Sequence, residues 1–124
     1  GWKRFKPPFG QIKNIKQTGH QRKGNIMIKH IVLYNAVEGK ESYLSSGHYQ
    51  QMKQALESLV GRIDGLLKVE VSVTYNQTSH DICLYTEFTD KDSLEAYRTN
   101  PAHLEAAKIV RSLTKDRVSA DFEV

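Results

Sequence analysis

Four segments of the chain are predicted to be β-strands, because their apolar residues either alternate with polar ones or, in the first and third segments, occupy both faces of a short β-branched or aromatic-rich run. The segments are "IMIKHIVLYN" at residues 26–35, "LKVEVSVTY" at 67–75, "DICLYTEF" at 81–88 and "DRVSADFEV" at 116–124. The first segment is rich in β-branched residues and carries one polar residue on each face, Lys29 and His30. His30 shares its face with apolar neighbours, so we expect its side chain to be substantially buried.

A period of 3.6 residues appears between the first and second strands. Apolar residues recur at this spacing from Tyr49 to Ile63. We therefore expect one long amphipathic helix over about residues 43–61, with Gly61 and Gly65 at its end.

A second helical region follows the third strand. "TDKD" has the pattern of a helix cap in which Thr89 reaches toward Asp92, and the short helix that it opens contains Leu94 and Tyr97. A further apolar stripe from Ala102 to Leu113 predicts another helix before the closing strand.

The pair Asn100 and Pro101 predicts the start of that last helix. Asn100 is a favoured N-cap, and Pro101 fits the first helical position, where its missing N–H costs nothing. His103 then lies in the first turn, where the positive end of the helix dipole disfavours a charged imidazole. We expect a neutral His103 that lies, with Tyr97, at the same end of the sheet.

The element order is β-α-β-β-α-β, which predicts an α+β, ferredoxin-like fold: a four-stranded antiparallel sheet with helices on one face. The first and third strands are apolar on both faces, so the open face of the sheet needs a cover. The simplest cover is a second copy of the same sheet, related by two-fold symmetry. We therefore expect a homodimer that forms an α/β barrel.

Charge divides the 124 residues into two parts. Residues 1–25 contain seven basic residues and no acid, whereas residues 26–124 contain 11 basic and 14 acidic residues. We expect a basic N-terminal arm at 1–25 and the dimeric α/β-barrel domain at 26–124. The arm lacks the apolar stretch of a secretory signal, so we expect no cleaved export peptide. Its aromatic and basic residues allow nucleic-acid binding, but short charge runs are usually solvated, so nucleic acid is the less favoured partner.

Composition excludes several classes of protein. No apolar run approaches the length of a membrane span, so we expect no membrane partner. The single cysteine, Cys83, excludes an internal disulfide and fits a reducing, cytoplasmic location, and we expect a buried thiol there. The histidines show no metal-ligand spacing, and the chain has neither a phosphate-binding glycine motif nor G-x-S-x-G. We expect no metal and no cofactor.

His30, Tyr97 and His103 form the best candidate site. A neutral imidazole and a phenol can hold a carbonyl or phenol group, or accept a proton from a carbon acid. The same side chains can instead pair with one another or with the backbone and serve only the core. The residues alone leave both interpretations open.

Four segments in order, "IKHIVLY", "YTEFTDKDSLEAY", "NPAHLEAAKIV" and "ADFEV", resemble the stress-responsive dimeric α/β-barrel (Dabb) family over about residues 27–124. The resemblance implies a small dimer whose two ferredoxin-like sheets form a barrel with the helices outside. Most members of that family have no assigned activity.

One plant branch of the family is a polyketide cyclase that uses a histidine and a tyrosine in a pocket between sheet and helices. In position, His30 resembles the strand-one histidine of that family, Tyr97 its helix-two tyrosine and His103 its histidine after the proline. The chain has Asn100 where many relatives have a histidine before the proline. It has Ile82 where the plant cyclase has a histidine in strand three.

The expected function is therefore that of a cytoplasmic homodimer that binds a small, partly apolar molecule between sheet and helices. His30, Tyr97 and His103 are its expected polar anchors. The enzymatic alternative is a polyketide-cyclase-like or cofactor-free monooxygenase-like activity, which rests on fold analogy. Two non-enzymatic interpretations are also open, a stable structural stress protein and a nucleic-acid-associated module that uses the basic arm.

Overall fold

A computed structural model describes residues 26–76 and 79–124, and the predicted arm at 1–25 lies outside this part of the chain. Its elements, in chain order, are β1 (Ile28–Ala36), α1 (Lys40–Ser45), α2 (His48–Glu57), β2 (Leu66–Val73), β3 (Ile82–Phe88), α3 (Lys91–Thr99), α4 (Pro101–Leu113) and β4 (Thr114–Glu123). The strands form one antiparallel sheet in the order β2-β3-β1-β4. This arrangement confirms the predicted α+β, ferredoxin-like fold. None of the helices described is long and apolar enough to cross a membrane.

The core lies between one face of the sheet and the helices. Side chains along β1 and β3 alternate strictly between buried and half-buried, as the period of two predicted. Val32 and Phe88 are fully buried and belong to one apolar cluster with Met52 and Leu56 of α2. Burying each such side chain contributes about 1.5–3 kcal/mol, so this layer supplies most of the driving force for folding.

The opposite face of the sheet is uncovered and partly apolar. Ile31 and Leu33 of β1 are half-buried there, and their partners across the strand pair are Ala120 and Val118 of β4. Val118 and Phe122 are 49% and 42% exposed. An apolar strip of this kind on a sheet is typical of an interface.

The prediction of one long helix over 43–61 is wrong. The structure has two helices, α1 and α2, which are separated at Gly47, where φ is +92°. Glycine adopts this left-handed conformation without the steric cost that Cβ imposes. The apolar pattern continues across the break because both helices face the same core: the Tyr43 hydroxyl donates to Met52 Sδ over 3.2 Å.

Two smaller predictions are also corrected. The N-cap of α3 is Asp90 instead of Thr89, since Asp90 Oδ1 accepts the Ser93 backbone N–H at 2.8 Å. Strand β2 ends at Val73, and Tyr75, which the alternation placed on the strand's apolar face, is 97% exposed.

The start of α4 is as predicted. Asn100 Oδ1 accepts the Ala102 N–H at 2.8 Å, and Pro101 is the first helical residue. At its other end α4 runs directly into β4. Pairing between β1 and β4 shifts register between Leu33 and Asn35, and Asp116 of the bulged strand has a φ of +55°.

Candidate functional site

A cavity of about 420 Å³ opens between the sheet and the helices, and the three predicted site residues all line it. His30 comes from β1, Tyr97 from the end of α3 and His103 from the first turn of α4. The buried apolar lining consists of Val32, Leu56, Leu84 and Val110. The structure therefore brings together side chains that lie up to 73 positions apart in the sequence.

Tyr97 and His103 lie against each other at the break between α3 and α4. Their ring centroids are 4.0 Å apart with an angle of 30° between the planes. Tyr97 also packs edge-on against Phe88, with centroids 4.9 Å apart. Burial raises the pKa of the Tyr97 phenol, so its hydroxyl stays protonated and able to donate a hydrogen bond.

His103 has an unsatisfied nitrogen. Its Nδ1 is buried and finds no hydrogen-bond partner within the described part of the chain. Burial lowers the pKa of His103 and the neighbouring His30 ring lowers it further, while the backbone of Arg98 and Tyr97 acts in the opposite direction without giving Nδ1 a hydrogen bond of normal geometry. The expected neutral imidazole is thus supported, with burial as the main cause.

His30 pairs with an aspartate and not with Tyr97 or His103. His30 Nδ1 lies 2.5 Å from Asp121 Oδ1, and Asp121 Oδ2 accepts from Arg98 Nη2 at 3.1 Å. His30 is only 4% exposed, which confirms the predicted burial. Partial burial acts to raise the pKa of Asp121, but the hydrogen bonds and charges of His30 and Arg98 outweigh it, and the pKa lies below its usual value.

The sequence analysis missed Asp121. Part of the information was present in the sequence: Val118, Ala120 and Phe122 occupy one face of the closing strand, so Asp121 must lie on the opposite face. The missing information was the strand register: in the structure Asp121 lies directly opposite His30. Sequence alternation gives the face of a residue but not its partner on the next strand.

The pairing with Asp121 favours the tautomer of His30 that carries its proton on Nδ1. When a carboxylate accepts from Nδ1–H, the neutral ring carries its free lone pair on Nε2. The cavity therefore combines the imidazoles of His30 and His103 with the phenol of Tyr97, and the buried phenol of Tyr34 also lines it. Such a set can hold a carbonyl or hydroxyl group, and a carboxylate-oriented imidazole can also accept a proton.

The rim of the cavity is basic, which the sequence analysis also missed. The side chains of Arg98, Arg111, Lys115 and Arg117 line the cavity and are exposed, and Asp116 is the acidic residue among them. Arg111, Lys115 and Arg117 lie within seven positions of one another at the junction of α4 and β4, and Arg98 joins them from α3. The local cluster was visible in the sequence, but its position beside the cavity was not.

Within residues 26–76 and 79–124, no group of three or more histidine, cysteine, aspartate or glutamate side chains is placed to hold a metal ion. His48 pairs with Glu38, Nδ1 to Oε2, at 2.6 Å. His80 Nε2 lies 3.0 Å from the Asp116 carbonyl. Cys83 is half-buried on the open face of the sheet instead of fully buried, and burial raises the pKa of its thiol.

Residues 28–124 match the model of the stress responsive A/B barrel domain, Dabb. The chain belongs to the Dabb family. A dimeric protein of unknown function and ferredoxin-like fold from Bacteroides fragilis is 33% identical to it. That likeness has a TM-score of 0.68 and covers 79% of this chain and 96% of the other.

More distant structures share the Dabb fold. A dimeric ferredoxin-like protein of unknown function from Thermobifida fusca is 22% identical with a TM-score of 0.66, over 80% of this chain and 92% of that one. SnoaB, a cofactor-independent oxygenase from Streptomyces nogalater, is 12% identical with a TM-score of 0.56, and the match covers 77% of this chain and 90% of that one. No curated protein matches the chain. The dimeric relatives support the expectation that this Dabb domain also pairs with itself.

Proposed function

We propose that this Dabb chain forms a homodimer through its open sheet face and binds a small, partly apolar molecule in the cavity. His30, Tyr97 and His103 are the polar anchors of that molecule. The observation that carries the proposal is their convergence at the buried end of one cavity of about 420 Å³. This volume lies within the range of small-molecule pockets, which are mostly apolar with a few polar groups that fix orientation.

His103 supplies the most specific support. A buried polar atom without a partner costs about 1–3 kcal/mol, and proteins rarely keep one. A hydroxyl group on a bound molecule could donate to Nδ1 and remove this cost. The apolar lining would hold the rest of the molecule away from water.

Binding can be tested with two neutral probes, octan-2-one and 4-butylphenol, followed by backbone amide NMR shifts. We expect the largest shifts at Tyr97 and His103. The variant Ala107→Phe should abolish them, because Ala107 lines the cavity and a phenyl ring there would occupy it. The control is Ala96→Phe, at an exposed helical position outside the cavity lining. Shifts that survive Ala107→Phe, or the absence of any shift, would contradict the proposal.

The homodimer is supported by the exposed apolar strip on the sheet and by the dimeric relatives. Light scattering after gel filtration should give twice the chain mass of 14.2 kDa. Phe122→Arg places a charge in the strip and should shift the mass toward the monomer. Leu104→Arg is the matched control, because Leu104 is 44% exposed but lies on α4, away from the sheet's open face. Equal effects of the two variants would contradict this interface.

A second candidate is an enzyme of the cyclase-like or cofactor-free oxygenase-like kind. The observation that favours it is the pair of His30 and Asp121, since a carboxylate-oriented imidazole is a general base. Both reactions can begin with removal of a proton from a carbon acid. Octan-2-one in deuterated buffer tests this step: His30 Nε2 would take a proton from the carbon beside the carbonyl, and the enolate would take up deuterium. Exchange should be faster with the wild type than with His30→Gln, and equal rates would exclude this role for His30.

A further inference from the structure

Charge is distributed unevenly around the cavity. Its floor is formed by buried side chains, among them His30 and Tyr97, whereas its rim is formed by exposed ones. Four of the 11 basic residues in residues 26–124 lie on this rim, although that part of the chain has 14 acids. A concave surface of one sign attracts ligands of the opposite charge, because the low-dielectric walls focus the field.

The basic residues of the rim are only partly neutralised by acids. Arg98 is engaged by Asp121 at 3.1 Å and by Glu95 at 3.3 Å. Arg111 and Lys115, in contrast, form no ion pair with any acid in the part of the chain that the structure describes. Their charges are therefore available to a ligand.

Arg117 also lines the cavity, where its guanidinium lies close enough to the buried Tyr34 to influence the phenol electrostatically. Arg117 Nη1 donates to Ser119 Oγ at 3.5 Å. Burial raises the pKa of Tyr34, and the nearby charge of Arg117 only partly opposes this, so the phenol stays neutral. Like Arg111 and Lys115, Arg117 forms no ion pair with any acid in residues 26–76 and 79–124.

The bulge in β4 places these groups together. In a regular strand only every second side chain faces one side, yet four consecutive residues, Thr114 to Arg117, line the cavity. The register shift and the left-handed Asp116, with φ +55°, account for this. The Asp116 carboxylate accepts from Asn35 Nδ2 at 3.0 Å, which holds it against the sheet, and its negative charge is outnumbered on the rim by the four basic side chains. A non-glycine residue in this conformation is a local cost of the kind that functional sites often carry.

We propose that the cavity selects an amphipathic carboxylic acid, with its carboxylate at Arg111, Lys115 and Arg117 and its apolar body against Val32 and Leu84. This inference rests on the proposed binding function and adds the chemical class of the ligand. Arginine favours carboxylates because its planar guanidinium donates two parallel hydrogen bonds. The buried imidazoles and phenol then contact any polar group at the ligand's far end.

Octanoate and octanamide test the inference, since they share one apolar chain and differ in charge. We expect octanoate to bind at least about tenfold more tightly in low salt, measured by calorimetry, and this preference to shrink as salt screens the rim. The double variant Arg111→Gln and Arg117→Gln should lose most of this preference, because only Lys115 of the three proposed carboxylate partners remains. Arg62→Gln removes an exposed arginine outside the cavity lining and should keep the preference. Lys115→Gln is a second variant that should weaken octanoate alone, in case the double variant melts early.

The possible results separate the carboxylate inference from the proposed binding function. Equal binding of octanoate and octanamide to the wild type would overturn the carboxylate inference and leave the proposed binding function standing. Binding of neither molecule, together with no NMR shift from the neutral probes, would overturn the binding function itself. Competition by inorganic phosphate as strong as that by octanoate would also overturn the inference, because the rim would then be a simple anion site.

Discussion

Removing the Asp121 side chain should destabilise the domain through His30. The variant Asp121→Ala leaves His30, which is 4% exposed, with a buried Nδ1 that has lost its partner at 2.5 Å. An unsatisfied buried group costs about 1–3 kcal/mol. The lost pairing with Arg98 adds little, because both side chains are more than a third exposed, at 40% and 38%. We therefore expect a loss of about 1–3 kcal/mol in the free energy of unfolding.

Urea denaturation and thermal melting followed by circular dichroism measure this loss. About 1 kcal/mol lowers the melting temperature of a domain of this size by roughly 4 °C, so we expect a fall of about 4–12 °C. Protein concentration must be the same for all variants, since the stability of a dimer depends on it. Asp121→Asn should cost less, because the amide oxygen can still accept from His30.

Glu123→Ala is the matched control. Glu123 lies two residues further along β4, and its ion pair with Lys91 spans 3.6 Å between side chains that are 56% and 75% exposed. Exposed pairs of this kind contribute about 0–1 kcal/mol. If Asp121→Ala cost no more than Glu123→Ala, the pairing of His30 with Asp121 would not stabilise the fold, and our account of the site would be refuted.

Acid should remove the contribution of Asp121. Its folded-state pKa lies below 3.8, so the stability that it provides is complete above that value and is lost as the pH falls through the lower, folded-state pKa. The difference in melting temperature between the wild type and Asp121→Asn should therefore narrow in strong acid. A difference that stayed constant down to about pH 2 would show that Asp121 is not an ionised partner.

Three further results are expected. Gly65→Ala should cost about 2–5 kcal/mol, because a Cβ there would lie 2.1 Å from Ser93 Oγ at a φ of +84°. Gly39→Ala is the control, because at a φ of +89° with no neighbour within 4 Å it should cost only the backbone strain of about 1–2 kcal/mol. If urea titrations gave equal losses of unfolding free energy for the two variants, the clash at Gly65 would be disproved. Asn100→Ala should cost about 1 kcal/mol by removing the α4 cap, and an unchanged melting temperature would show the cap to be dispensable. His103 has a folded-state pKa below 6.5, so the unfolded chain takes up a proton at a higher pH than the folded domain does, and the wild type loses stability as the pH falls below about 6.5. His103→Gln should reduce this dependence of the melting temperature on pH. Equal slopes for the two proteins would contradict the prediction.

Local signals in the sequence were enough for much of the fold and for the choice of three residues that the structure brings to one cavity. Alternation in β1 placed His30 in the core, and Asn100 with its following proline fixed the start of α4. The break at Gly47 was missed because glycine's conformational freedom leaves no trace in the apolar pattern, which continues through both helices. Asp121 was missed because its role depends on which residue of β1 it faces, and that register is set by contacts 91 positions apart.

Neighbouring residues of β1 point to different surfaces of the domain. Even positions such as His30 and Val32 line the cavity, and odd positions such as Ile31 and Leu33 line the uncovered face. Substitutions in this strand should therefore fall into two groups by numerical parity: those at even positions change the cavity, and those at odd positions change the uncovered face of the sheet. Insertion or deletion of a single residue in β1 would exchange the two sets and alter both surfaces at once.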